Sequence, residues 1–331
     1  MMQQFFYRTF LALLLSLPLQ ALPNEWELYH TKLYVENDLL SQQDSQYTGG
    51  MKLDLIYKIN NPDGLYNLLL AGDSKVYLFR SFSLATQIYT PEDLTKKEPI
   101  PDDWSYAAWT YVEVGVHKST KKTLSSLLLK VGVVGPDAGG EQFQKAVHKW
   151  TGSTDPQGWS NQLYNEMTLN VSYIYKERFS FGAPNGYGVA LVPSAQIDLG
   201  NVFTQATVGC FGRFGYNIAK DFGLATMSVG GESGIPVYGE QKRTLQKRWS
   251  ASFNLALYSS LVARDMFVEG NTFKESIVTH ERRWLVGYVG LGFSLRYRSF
   301  NIDFMQTYNT PKAKDIDRSK AVGTLLFTYF Y

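Results

Sequence analysis

The chain has 331 residues, of which 32 are lysine or arginine and 30 are aspartate or glutamate, so the net charge at pH 7 is only +2. A balance this even argues against a nucleic-acid partner and against a strongly acidic one. No protein partner is indicated either.

The first 21 residues have the pattern of a secretory signal. Arg8 precedes an apolar run from Phe10 to Leu17, and small Ala21 stands before more polar sequence. We therefore expect residues 1–21 to be removed on export and residues 22–331 to form the mature domain. The single cysteine, Cys210, excludes an internal disulfide, so an exported chain of this length needs other means of stabilisation.

Twelve segments, rich in the 22 tyrosines and 20 phenylalanines of the chain, have the composition and alternation of β-strands. In chain order they are 27–36, 51–59, 76–89, 107–118, 123–134, 162–179, 188–199, 203–217, 249–262, 283–297, 300–306 and 320–331. The last segment alternates and ends on an aromatic residue, Tyr331, as outer-membrane barrels usually do. A core strand of a soluble sandwich would explain the alternation but not that ending. We expect an all-β fold, a transmembrane antiparallel β-barrel of about 12 strands in the bacterial outer membrane.

The even number of strands decides on which side of the membrane each loop lies. Both termini are then periplasmic, and every loop that follows an odd-numbered strand is extracellular. The loops 37–48, 90–106 and 135–161 meet on the outer rim, together with 262–282 and 308–319. The longest connection, 218–248, comes out periplasmic, although periplasmic turns are usually short. Either a strand is missing from the count there, or this segment folds into the end of the barrel.

The extracellular loop 135–161 contains the best candidate for chemistry. Residues 135–152, GPDAGGEQFQKAVHKWTG, predict a short helix with an apolar stripe of Phe143, Val147 and Trp150. Gln144 and His148 are spaced i, i+4, so the amide would stack on the imidazole at the flank of the buried face. A histidine placed in this way can act as a base. Read alone, His148 is better explained as a favourable residue near the C-terminal end of a helix.

The loop 37–48 offers oxygen ligands for a cation. Asn37, Asp38 and Thr48 supply amide, carboxylate and hydroxyl oxygens, a set that suits calcium, whereas one cysteine and scattered histidines do not suit zinc. Read alone, Asn-Asp and Thr-Gly-Gly are ordinary turn sequences. In the loop 90–106, Lys96 either meets a phosphate or stays solvated.

Together these motifs resemble the lipid A 3-O-deacylase family of outer-membrane barrels, over nearly the whole mature chain. The resemblance rests on END at 36–38, YTGG at 47–50, QIYTP at 87–91, VGPDAGGEQFQKAVH at 134–148, GWSNQL at 158–163 and ARDMFVEGNTF at 263–273. It implies a calcium-dependent esterase that removes the 3-position acyl (acyloxyacyl) group of lipid A in the outer leaflet.

The resemblance also implies three overlapping groups of site residues. They are the catalytic residues His148, Gln144 and Lys96, the substrate-binding residues Thr48, Lys96 and Asp155, and the calcium ligands Asn37, Asp38 and Thr48. His148, oriented by Gln144, would take a proton from water while calcium polarises the ester carbonyl. The family tends to carry an acidic residue shortly after the helix, where this chain has Thr154 followed by Asp155. Either Asp155 substitutes for that acid, or the activity is altered or lost.

Two other functions remain open from the sequence. An outer-membrane phospholipase would use the same base and metal on a glycerophospholipid, although a sugar phosphate would give Lys96 a natural partner. A passive pore or an adhesive barrel would need no chemistry, and it predicts a polar, unobstructed lumen.

Overall fold

In the computed structural model the strands form one antiparallel sheet. The structure describes residues 26–37, 46–70, 75–183, 186–227, 234–239 and 249–331. The predicted signal segment 1–21 and the predicted calcium ligand Asp38 lie outside the described residues. The strands are β1 (Trp26–Asn37), β2 (Gln46–Ile59), β3 (Tyr77–Thr90), β4 (Ala107–Ser119), β5 (Thr123–Val134), β6 (Glu166–Glu177), β7 (Phe179–Gly182), β8 (Tyr187–Gly200), β9 (Phe203–Tyr216), β10 (Trp249–Asp265), β11 (Leu285–Tyr297), β12 (Phe300–Asn309) and β13 (Lys320–Phe330).

The sheet closes into a barrel, because β1 pairs with β13 and β6 pairs with β8. The short strand β7 continues the line of β6, since β6 pairs with residues 194–200 of β8 and β7 with residues 188–191. The wall is therefore a closed barrel of twelve strands with one extra short strand. This confirms the predicted fold class.

Among the described residues, two α-helices lie in the extracellular loops, α1 (Gly140–Thr151) and α2 (Met266–Glu269), and short 3₁₀ turns lie at Gly64–Leu68, Pro136–Ala138 and Trp159–Asn161. Within the described ranges, no helix has the length and apolar character needed to span a bilayer.

The strands alternate between lipid and lumen along the wall. In β6, for example, Met167 and Leu169 are exposed on the outer face, while Thr168 and Asn170 are buried inside. This period of two is what a lipid-facing barrel requires, because successive side chains of a strand point to opposite faces. The lumen contains buried ion pairs, among them Lys52 Nζ with Glu113 Oε1 at 2.7 Å.

The described part of the long periplasmic connection 218–248 enters the barrel. Of the two alternatives for this segment, it agrees with folding into the barrel rather than with a missing strand. Phe222, Leu224, Ile235 and Val237 pack in the lumen against wall residues such as Phe79. The backbone N–H of Met227 then donates to Glu36 Oε1 at 2.6 Å, near the outer end of β1. The described part of this segment thus runs from the periplasmic end through much of the barrel.

The outer end of the lumen is also filled. Phe267 of α2 stacks on Tyr89 with ring centroids 3.7 Å apart, and both pack with Trp109 and Tyr47 in one apolar cluster. Above it, His280 lies 2.6 Å from an Asp315 carboxylate oxygen and donates to the Asp103 carbonyl at 2.9 Å, so three extracellular loops are tied together. A filled lumen does not fit the unobstructed channel that a passive pore predicts.

Candidate active site on the outer surface of the barrel

Glycines mark both ends of helix α1. Gly139, which precedes the helix, and Gly152, which follows it, have φ of 74° and 73°, a left-handed conformation that glycine adopts without a steric penalty. The Gly152 N–H closes the last turn on the His148 carbonyl. The helix predicted for 135–152 is therefore confirmed, with a 3₁₀ turn at Pro136–Ala138 before it.

The helix lies against the outside of the wall, where it packs on the outward-facing residues of β3 and β4. Ile88 and Ala108 point away from the lumen but are buried, with 3% and 0% of their surface exposed. A Cβ built on Gly140 would lie 2.3 Å from the Ala108 methyl and 2.7 Å from the Trp159 ring, so only glycine allows the helix to sit this close. The candidate site is thus on the lipid side of the barrel rather than over its mouth.

The buried face of α1 differs from the predicted stripe. Gly140 and Gln144 are its buried residues, Phe143 is partly buried, and Trp150 is 87% exposed. The stripe prediction is therefore wrong for Trp150. A largely exposed tryptophan at the outer end of a barrel fits the aromatic belt at the membrane surface.

A backbone carbonyl orients the ring of half-buried His148. Its Nδ1 lies 2.5 Å from the carbonyl oxygen of Thr154. A carbonyl can only accept, so Nδ1 donates the hydrogen bond, and Nε2 is the nitrogen at which the ring can take up or release a proton. The position at which the family tends to carry an acid therefore supplies its backbone oxygen here, whatever its side chain.

The side chain of Gln144 is held by tryptophan. It is only 3% exposed, and its Oε1 accepts from Trp159 Nε1 at 2.8 Å. An indole nitrogen can only donate, so the oxygen must face Trp159 and the amide nitrogen must face the other way. That Nε2 is buried without a hydrogen-bond partner among the described residues. The described hydrogen bonds pair Gln144 with Trp159 and His148 with Thr154, and none joins the predicted i, i+4 pair to each other.

The hydroxyl of Thr48 belongs to a group of outward-facing polar atoms. A register shift between Tyr47 and Gly49 places a bulge at Thr48, whose hydroxyl lies 2.5 Å from that of Thr90 on β3. Asn37 pairs with Gly49 on the neighbouring strand, and a Cβ on Gly49 would lie 3.5 Å from the Asn37 amide nitrogen. Asn37 thus lies opposite the residue that follows Thr48, at the outer ends of β1 and β2.

The described side chains that could bind a metal ion offer neutral oxygen atoms rather than carboxylates. Within the described ranges, no group of three or more histidine, cysteine, aspartate or glutamate residues is placed to hold a metal. Asn37, Thr48 and Thr90 offer hard oxygen atoms, which are ligands of the class that calcium prefers. Asp38, next in the chain after Asn37, is the one carboxylate in the predicted ligand set.

Lys96 and Asp155 lie on two loops that pack on each other. Gln157 N–H donates to the Leu94 carbonyl at 2.9 Å, and the Asn161 side chain donates to the Lys97 carbonyl. Lys96 is exposed and lies 3.9 Å from an Asp93 oxygen, while Asp155 is exposed and accepts from Gln157. Hydrogen bonds from Thr95 lower the pKa of Asp93. The described contacts bring these loops together, but they pair neither Lys96 nor Asp155 with His148 or Gln144.

Three features of this site were not predicted from the sequence. They are the Thr48–Thr90 contact, the Thr154 carbonyl and the bond from Trp159. Thr90 and Trp159 belong to the motifs QIYTP and GWSNQL, so the sequence marked their positions but not their contacts. Trp159 is 2% exposed, with its ring packed 5.0 Å from that of Tyr106. Burial raises the pKa of Tyr106 to about 12, so its hydroxyl stays neutral in this cluster.

A protein family and several solved structures are similar to this chain. The chain matches the family model described as outer membrane protein LpxR over residues 9–331. LpxR from Salmonella typhimurium aligns with a TM-score of 0.73 at 17% sequence identity, over 91% of this chain and all (100%) of that chain. The β domain of the Bordetella autotransporter BrkA gives a TM-score of 0.45 at 9% identity, over 93% of this chain and 100% of that one.

The translocator domain of NalP from Neisseria meningitidis gives a TM-score of 0.36 at 8% identity, over 92% of this chain and 88% of that one. Among curated proteins, sequence comparison finds no match. The family model, together with the barrel, assigns the protein to the bacterial outer membrane. The chain belongs to the LpxR family of outer-membrane proteins, the lipid A 3-O-deacylases.

Proposed function

We propose that this protein is an ester hydrolase that removes the 3-position acyl group of lipid A, using water that His148 activates. The observation that supports this best is the orientation of the imidazole. Its Nδ1 is fixed on the Thr154 carbonyl, so the basic Nε2 is available on the lipid side of the wall. An outer-leaflet lipid would reach this position without leaving the membrane.

In the proposed reaction, His148 Nε2 takes a proton from a water molecule as the water oxygen attacks the ester carbonyl carbon. The new C–O bond gives a tetrahedral oxyanion and an imidazolium. When the oxyanion collapses, the bond from carbon to the sugar oxygen breaks, and Nε2 returns its proton to that oxygen. A positioned base of this kind typically contributes a factor of about 10² to 10⁴ to the rate.

Gln144 has a donor suited to the oxyanion. Trp159 holds its Oε1 and turns its buried Nε2 away, leaving that amide hydrogen without a partner among the described residues. A buried donor of this kind costs free energy until it is paired. We infer that it donates to the ester oxygen as negative charge develops there. This replaces the orienting role predicted for Gln144, because the Thr154 carbonyl already orients the imidazole.

We propose that a calcium ion binds at the outer ends of β1 and β2. The hydroxyl of Thr48, the amide oxygen of Asn37 and the carboxylate of Asp38 would hold it, and none of these is a soft ligand. When bound, such an ion stabilises negative charge on an ester oxygen. Since Asp38 is the one carboxylate in the set, the affinity should depend strongly on that residue.

Lys96 and Asp155 are proposed to contact the head group. Both side chains are exposed on loops that pack beside α1. The ammonium of Lys96 suits a sugar phosphate, and Asp155 can accept from sugar hydroxyls. Their described contacts are with Asp93 and Gln157 rather than with His148, so we expect both to affect binding more than the chemical step.

The experiment is to express the intact chain in cells whose lipid A retains its 3-acyl group, and to compare lipid A and phospholipids by mass spectrometry. The wild type should remove that one chain from lipid A and leave phospholipids unchanged. His148→Ala should abolish the change, whereas Lys149→Ala, an exposed neighbour on the same helix, should not. Lipid A that still loses its 3-acyl chain with His148→Ala would refute the proposal, and loss of acyl chains from phospholipids alone would favour the phospholipase.

A further inference from the structure

A polar side chain in a lipid-facing row of the wall has no role in the site described so far. In β12, Phe304 and Tyr308 point outward while Met305 and Thr307 are buried in the lumen. By this alternation Gln306 points outward, into the membrane. The residue that pairs with Gln306 on the neighbouring strand β11 is Leu291, whose side chain is 42% exposed on the lipid-facing side.

The amide of Gln306 is not satisfied by the described residues. Its Nε2 is buried against the wall without a hydrogen-bond partner among them. A polar group that has no hydrogen-bond partner in hydrocarbon destabilises a protein by several kcal/mol. Polar residues in such positions of membrane proteins tend to serve a function. The described residues therefore leave this donor open to a ligand.

Other outward-facing polar groups near α1 already have partners. Thr48 and Thr90 pair through their hydroxyls, as do Thr86 and Thr110 at 2.9 Å. Thr110 also donates to the Ala138 carbonyl at 2.8 Å, below the start of α1. Gln306 thus differs from these neighbouring polar residues, because its amide N–H has no described partner.

Gln306 lies on the same hydrogen-bonded row as the candidate site. It pairs with Gly323 on β13, Gly323 pairs with Asn37 on β1, and Asn37 pairs with Gly49 on β2. The row continues through Ile88 to Ala108, the residue under Gly140 of α1. Glycines at 49 and 323 leave the wall on both sides of Asn37 without side chains, which makes a shallow floor between α1 and β12.

Neighbouring strands are about 4.8 Å apart, so the row from Ala108 to Gln306 measures about 24 Å, and the backbones at Asn37 and Gln306 are separated by about 10 Å of it. One sugar ring, together with the side chains of Asn37 and Gln306, is long enough to bridge this last part of the floor. A primary amide offers both a donor and an acceptor, which a secondary amide can match with its own acceptor and donor. A glycerophospholipid ester has only acceptors, and it would leave the Gln306 oxygen unpaired.

We propose that Gln306 is a substrate-binding residue that pairs with the N-acyl amide of an acylated amino sugar while the neighbouring ester lies at His148. This inference rests on the proposed function, and it names the feature of the substrate that separates lipid A from a phospholipid. The residue touches the substrate but takes no part in the proton transfers.

The test uses the inactive His148→Ala chain, so that a bound lipid is not consumed. Two synthetic acylated monosaccharides serve as probes, a glucosamine with an amide at the 2-position and the matching glucose with an ester there, and their Kd values are measured in detergent micelles. The amide probe should bind about 5- to 10-fold more tightly to His148→Ala, as expected for one hydrogen bond. In His148→Ala combined with Gln306→Leu, this preference should disappear.

The controls separate recognition from folding. Phe304→Leu, at the preceding outward position of the same strand, should keep the amide preference, and Gln306→Met provides a second, nearly isosteric variant. If Gln306 only supported the fold, its variants would lower the unfolding temperature and weaken both probes alike. A preference that persists without Gln306, or that is absent with it, overturns the inference. Failure of the wild type to deacylate lipid A would instead overturn the proposed function.

Discussion

The imidazole of His148 and the backbone carbonyl of Thr154 are joined by a hydrogen bond of 2.5 Å across the end of helix α1. The chain turns back at Gly152, which brings the following residues under the last turn of the helix. A carboxylate would orient the ring in the same way and add negative charge. The carbonyl orients it without that charge, so the base remains positioned although no acid stands at 154.

If the Thr154 carbonyl orients His148, substitutions at 154 and at 152 should affect kcat differently. Thr154→Ala keeps the carbonyl, so kcat should stay within about twofold of wild type. Gly152→Ala adds a Cβ that meets nothing within 4 Å, but at φ 73° it strains the backbone by about 1 to 2 kcal/mol and should shift the Thr154 carbonyl. We expect kcat to fall about tenfold or more in Gly152→Ala, measured on lipid A in micelles. Equal loss in both variants would contradict the carbonyl role.

Removal of the Trp159 donor should impair the chemical step more than binding. Trp159→Phe keeps an aromatic ring, although a smaller one, and removes the hydrogen bond to Gln144 Oε1, so the amide loses its fixed orientation. A lost hydrogen bond to a buried group costs about 1 to 3 kcal/mol, so we expect kcat to fall about tenfold with little change in KM. Trp150→Phe, on the exposed side of α1, is the control. A change in KM alone would show that Trp159 serves only binding.

The close seating of α1 on the wall depends on the absence of a side chain at 140. Gly140→Leu would clash with Ala108 and Trp159 and lift the helix, and overpacking of this kind typically costs about 1 to 3 kcal/mol. Activity should fall sharply, while the barrel should keep its resistance to unfolding in cold detergent. Gln142→Leu, at an exposed position of the same helix, should remain active. Full activity of Gly140→Leu would show that the helix need not contact the wall.

Calcium dependence should be tied to Asp38. Chelation should abolish activity, and added calcium should restore it. Asp38→Asn removes the only carboxylate of the proposed ligand set, so the calcium concentration for half-maximal activity should rise at least tenfold. Asp102→Asn, in another extracellular loop, should behave as wild type. Activity that survives exhaustive chelation would remove calcium from the mechanism and leave Asn37 and Thr48 as substrate contacts.

The sequence was sufficient for the barrel because lipid imposes a strict period. Residues such as Met167 and Leu169 must be apolar on the outside, and this alternation is visible along β6. The segment that fills the lumen was harder to predict, since Phe222 and Leu224 lie outside the strands of the wall and are buried by contacts inside the barrel. Periodicity describes strands and helices, but it does not show which loop fills an interior.

The candidate site was predicted in part. Spacing correctly put Gln144 and His148 on adjacent turns of one helix, but spacing cannot decide which partners their polar atoms choose. Those partners, Trp159 and the Thr154 carbonyl, come from the loop after the helix. Nor does the pattern show that α1 folds back onto the outer wall, because that contact depends on the smallness of Gly140 and Ala108 rather than on an apolar stripe.

Hydrolysis in water enriched in ¹⁸O tests the central claim most directly. Purified protein in micelles is given lipid A and calcium, and the released fatty acid is analysed by mass spectrometry. The wild type should release the 3-position chain with one ¹⁸O atom in its carboxylate, and His148→Ala should release none. Release without the label, or equal release by His148→Ala, would contradict attack by water activated at His148.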